Sequence, residues 1–121
     1  MQKPSRAPVD PLLGSWMSDT PDHLEGVVVE FLADDQVEIE SPGREKEVLN
    51  YWREDFATWE ASRELTIQQA EALTKFGNCD FVVTLSAVPK AFGKGRGTDL
   101  FFDSSGRRIL VMPDTVLVPS Q

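Results

Sequence analysis

Few side chains in this sequence are suited to chemistry. His23 is the only histidine, and Asp19, Asp22 and Glu25 lie near it. An imidazole with carboxylates can hold a metal or act as a base. A metal centre, however, needs donors at spacings that let them converge on one ion, and these residues lack such spacing. The stretch therefore reads as a solvated acidic loop. A Ser–His–acid triad would have to use His23, and no Gly-x-Ser-x-Gly turn presents a serine to it. Cys79 is the only cysteine, so no intrachain disulfide can form, and its one basic neighbour is Lys75, four residues back. It reads as a small apolar core residue rather than a nucleophile. The acidic pairs Asp34/Asp35 and Glu54/Asp55 fall where turns belong, and turn propensity explains them without catalysis. The expectation is no catalytic residue, no metal and no cofactor.

Binding is the better use of what remains. Lys90-Ala91-Phe92-Gly93-Lys94-Gly95-Arg96-Gly97 interleaves three cations with three glycines. Such backbone can wrap a phosphate or carboxylate, but the order is not that of a nucleotide-binding G-x-x-x-x-G-K-[ST] loop. The alternative is a plain hairpin connection. Trp52 and Trp59 are the large aromatic candidates in the middle of the chain. In a small barrel they line a cavity or simply fill the core. The candidate ligand or partner contacts are thus Trp52, Trp59, Lys90, Lys94 and Arg96.

The elements that would position them are mostly strands. Val27, Val29 and Phe31 alternate with Val28, Glu30 and Leu32, and Val37 and Ile39 alternate with Glu38 and Glu40. That predicts a hairpin over 26–40 turning at Asp34-Asp35. A strand at 14–19 precedes it. Residues 47–53 and 56–61 read as two more strands about a Glu54-Asp55 turn, with a single helix over 45–62 as the competing reading. Residues 79–88, 98–102, 107–112 and 116–118 complete the strands. Asp103-Ser104-Ser105-Gly106 is expected as a four-residue hairpin loop with Gly106 left-handed. One helix stands out near 66–77. Thr66 and Gln69 form a capping-box pattern, Ile67, Ala70, Leu73 and Phe76 make an apolar stripe, and Gly77-Asn78 suits a left-handed stop. The expected core is Trp16, Val29, Phe31, Leu73, Phe81, Val83, Leu85, Phe101, Leu110 and Val116.

At 121 residues the chain is one domain, with 40% apolar and 26% charged residues. Residues 1–13 carry Pro4, Pro8 and Pro11 and no apolar run, so they read as a flexible lead-in to a domain over 14–121 and not as a signal peptide. The net charge is −8, unevenly placed. Residues 1–80 hold 7 Lys and Arg against 17 Asp and Glu, and residues 81–121 hold 5 against 3. The acidic body argues against nucleic acid. No apolar run is long enough to cross a membrane. The single cysteine fits a cytoplasmic protein, or a periplasmic one whose natural N-terminus has been trimmed.

About seven or eight strands with close turns and one short inserted helix make a mainly β, antiparallel barrel the expected fold. Leu12-Leu13-Gly14-Ser15-Trp16 followed by Val29-Glu30-Phe31-Leu32-Ala33-Asp34-Asp35 resembles the small lipocalin-like, or calycin-like, domains common in bacteria. Their pattern is a G-x-W strand and then a strand ending in Phe before an Asp-Gly turn, where this chain has Asp35 in place of the glycine, and the resemblance covers roughly the first third of this chain. The resemblance implies a ligand-pocket domain without naming the ligand. The leading functional reading is therefore a non-catalytic lipocalin-like protein that binds a small apolar molecule or a protein. The alternative is an acidic inhibitor or immunity-type protein that blocks a basic partner through its 30–64 face.

Overall fold

A computed structural model describes residues 10–19, 26–87, 97–112 and 114–120. The strands are β1 (Gly14–Ser18), β2 (Val28–Phe31), β3 (Gln36–Glu40), β4 (Glu47–Asp55), β5 (Phe81–Ser86), β6 (Thr98–Asp103), β7 (Arg108–Val111) and β8 (Thr115–Pro119). Each pairs antiparallel with its neighbour in sequence, and β8 returns to β1, so the eight strands close into an up-and-down barrel. Between β4 and β5 lie helix α1 (Phe56–Ala61) and helix α2 (Ile67–Phe76).

Strand alternation divides the apolar residues into two cores. Trp16, Val29, Phe31, Val37, Tyr51, Val83, Leu85, Leu100, Phe102, Ile109 and Leu117 fill the barrel interior. Val82, Phe101 and Leu110 point the other way and pack with Trp59, Leu73 and Phe76 of the helices. The helices thus cover the outside of β5–β8. This explains why Phe81-Val82-Val83 and Leu100-Phe101-Phe102 are unbroken apolar runs, whereas β3 alternates Val37 and Ile39 with polar Gln36, Glu38 and Glu40. Two expected core positions shift. Val116 faces the helix-side core and is only partly buried, while Leu117 takes the interior. Phe81 is half-buried at the edge of the interior cluster.

The β2–β3 turn closes as expected, with Asp35 left-handed at φ 66° and Leu32 N–H donating to Gln36 O at 2.8 Å. The β6–β7 loop differs. Arg107, not Gly106, is left-handed, at φ 53°. Glycine is needed at 106 for space: a Cβ there would lie 2.6 Å from Asp103 Oδ2. Asp103 Oδ1 accepts from Gly106 N–H at 3.0 Å and from the Ser105 hydroxyl at 2.9 Å, and this tight turn passes the left-handed position to the next residue.

Residues 56–61 are a helix, not the expected strand. Asp55 ends β4 and caps α1, accepting from Thr58 N–H at 3.3 Å. Phe56 and Trp59, three residues apart, then stack at 5.9 Å on one side of the turn. The aromatic content that suggested a strand instead serves a helix docked on a sheet. α2 has the expected ends: Thr66 Oγ1 accepts from Gln69 N–H at 3.0 Å, Gln69 Oε1 accepts from Thr66 N–H at 2.9 Å, and Gly77 stops the helix at φ 97°. Only the later half of its expected stripe is buried. Leu73 and Phe76 pack on the barrel, but Ile67 is 79% exposed and Ala70 faces solvent.

Of the expected lead-in over 1–13, residues 1–9 lie outside the described residues, and residues 10–13 lie against the barrel. Leu12 has no solvent exposure and joins the interior cluster.

Phe31→Ala should lower stability by about 3–5 kcal/mol, because a ring 1% exposed leaves a cavity in the interior; an unchanged denaturant midpoint would contradict this packing. Thr66→Ala should cost about 1 kcal/mol through loss of the cap, read in the same titration.

Candidate binding surfaces

The covering of β5–β8 leaves the outside of β2–β4 open, and its residues follow from register. Glu30 lies directly opposite Glu38, Val28 opposite Glu40, and Glu38 opposite Val48. All point away from the interior, because Val29, Phe31 and Val37 between them point in. Like charges facing each other across a ladder destabilise it. Lys46 partly offsets this, with Nζ 3.1 Å from Glu38 and 3.4 Å from Glu40. The Glu38 carboxylate, then Glu40, raises the Lys46 pKa. Val48 is 50% exposed and Met17, opposite Val28, is 37% exposed. The face is acidic with a few apolar points.

Trp52 lies on the same outer surface, half-buried, opposite Thr84. Thr84 Oγ1 donates to Asp99 Oδ1 at 2.7 Å, and Trp59 Nε1 donates to Asp99 Oδ2 at 3.3 Å. Asp99 therefore joins β5, β6 and α1 beside Trp52. Trp59 itself is 3% exposed, edge-on to Phe101 at 5.1 Å, with the Arg63 guanidinium 5.7 Å from its ring centroid. Its place is in the seam between helix and barrel. Lys90, Lys94 and Arg96 lie outside the described residues, as does His23.

Inward side chains from all eight strands, with Leu12, form one buried cluster. On the helix side a groove of about 440 Å³ runs between α1 and α2, lined by Phe56, Glu60, Leu65, Leu73, Asn78 and Cys79. This groove was hidden from sequence reasoning because α1 reads as a strand. Cys79 at its base bonds to Phe81 O at 3.3 Å, and burial pushes its thiol pKa up to about 12. Among the described residues no group of three or more His, Cys, Asp or Glu side chains could hold a metal.

At one barrel end Asp103 is almost fully buried. Burial pushes its carboxyl pKa up, but the Gly106 N–H, Arg108 and Ser105 outweigh it and hold the group below the usual carboxylate value. Arg108 donates to Asp103 Oδ2 at 2.9 Å and to Phe76 O at 2.7 Å, and its guanidinium sits 4.4 Å from the Phe76 ring centroid. This cluster ties α2 to the β6–β7 hairpin, and its groups are mutually satisfied.

The fold defines a closed antiparallel eight-stranded β-barrel with a two-helix cover, compatible with a lipocalin-like architecture. Among the described residues no helix is long and apolar enough to cross a membrane. Comparison with family models, with curated proteins and with solved structures finds no match.

Cys79 should resist alkylation at mildly basic pH, since only the thiolate reacts, and unfolding should restore ordinary thiol reactivity. The sign of the linked stability follows: the folded pKa is raised, so stability is full below the unfolded value of 9.0 and falls as pH rises toward about 12. Fast labelling of the folded protein would contradict the burial.

Proposed function

We propose that this chain is a non-catalytic, lipocalin-like binding protein that recognises a basic protein partner through the outer face of β2–β4. One observation supports the reading: Glu30 and Glu38 are held opposite each other on a sheet face that no described helix covers, an unfavourable pairing that a cationic neighbour relieves. Lys46 reaches Glu38 and Glu40; a partner's Lys or Arg would relieve the Glu30 side. Half-exposed Val48 and Met17 give such an interface apolar contact at its middle and rim, and half-buried Trp52 adds an aromatic anchor of the kind that dominates interface energetics. The net charge of −8 would speed encounter with a basic protein.

The test compares two triple variants as bait in cross-linking captures from the native host. Glu30→Gln/Glu38→Gln/Glu40→Gln should keep or slightly raise stability while losing a basic protein that the unaltered chain captures in a salt-sensitive manner. Glu60→Gln/Glu64→Gln/Glu71→Gln, on the helix side, should retain it. Equal capture by both variants, or capture indifferent to salt, would rule the face out.

A further inference from the structure

Between α2 and the β7–β8 hairpin, on the outer wall of the barrel, lies a second groove of about 250 Å³. Its floor is apolar and follows from two spacings. Ala72 and Phe76, four residues apart, share one side of the helix. Leu110 and Val116 are partners across the β7–β8 ladder, and both face the helices. Charged side chains stand at the two ends. Arg108 precedes Leu110 by two residues and so points to the same side of β7. Its Nη2 donates to Phe76 O and to Asp103, which fixes the guanidinium at the C-terminal end of α2. Lys75 lines the groove from the last turn of that helix, and Asp114 lines it from the β7–β8 turn. Both are exposed, and among the described residues neither has an ion-pair partner.

We propose that this groove binds a short apolar peptide with both termini free, dipeptide in size. The carboxylate end lies against Lys75 and Arg108, the ammonium end against Asp114, and the side chains on Ala72, Leu110 and Val116. The charges select a zwitterion, because an anion alone meets Asp114 and a cation alone meets Lys75 and Arg108. Spacing selects the length. Val111 pairs with Thr115, so Asp114 stands at least three residues' rise from Arg108 along the strands, roughly 10 Å. An extended two-residue chain spans about 7 Å, and the side chains at each end close the remainder. A single amino acid leaves one of its two charges unpaired. The groove is also smaller than the roughly 300–1,000 Å³ usual for drug-sized ligands, which matches a ligand of this size. The site is independent of the acidic β2–β4 face.

The experiment uses the full chain and titration calorimetry with leucyl-leucine, its N-acetyl and C-amide forms, and leucine, with folding checked by near-ultraviolet circular dichroism. Leucyl-leucine should bind the unaltered protein at least about tenfold more tightly than either blocked form or leucine, the size of one charge-assisted contact. Asp114→Asn should remove the preference over the N-acetyl form and keep that over the amide. Lys75→Gln should narrow the preference over the amide and keep that over the N-acetyl form. Both positions are exposed, so each variant should fold as the unaltered chain does. No binding of leucyl-leucine, equal binding of a blocked form or of leucine, or selectivity unchanged by Asp114→Asn or Lys75→Gln would overturn the proposal.

Discussion

Closing eight strands into a barrel leaves an interior only wide enough for side chains, and the rest of this molecule answers to that limit. The inward residues include edge-on aromatic pairs, Phe31 with Tyr51 at 5.0 Å and Trp16 with Phe102 at 5.8 Å, an arrangement that favours the electrostatics of the rings. Leu12, reaching in ahead of the first strand, joins them. The outward apolar residues of β5–β8 point away from that interior. They need a separate cover, and the insertion between β4 and β5 supplies it as two short helices. The same arrangement leaves the face of β2–β4 to water, where its glutamates are tolerable.

Aspartates tie one end of the barrel together. Asp10 pairs with Arg53, and Asp103 with Arg108. Asp80 accepts from the Ser104 N–H at 2.8 Å and from its hydroxyl, while its own backbone bridges Phe56 and Phe102. Each carboxylate satisfies donors that a tight loop or a helix edge would otherwise leave unpaired, and unpaired donors near a core are costly. These ties also connect separate parts of the chain: the segment before β1, the helix entry and the β6–β7 hairpin. The pH sense is common to Asp10 and Asp103. Both carboxyls are held below their usual value, so their contribution is present above the usual carboxylate range and fades as pH falls through their lowered values.

The strands, most turns and the better helix were legible because their signals are local. Alternation in β2 and β3 reports one wet face and one dry face, and Thr66, Gln69 and Gly77 satisfy their own helix ends within a few residues. The acidic run of Glu30, Glu38 and Glu40 was legible for the same reason. Their placement as a facing set depends on the β2–β3 register, which the Asp34-Asp35 turn specifies.

Tertiary structure decided the rest. Residues 56–61 have the composition of a strand, and only the outward apolar face of β5–β8 gives Trp59 a reason to turn onto the barrel as a helix. Val116 and Leu117 are equally apolar, and barrel closure between β7 and β1 chooses which one points inward. Ile67 continues the apolar stripe of α2, yet the helix meets the sheet only through its later half. The pairing of Asp10 with Arg53 carried no signal, since a carboxylate paired with a guanidinium far along the chain is a long-range contact. Such contacts depend on how strands close in space, and local pattern does not encode that.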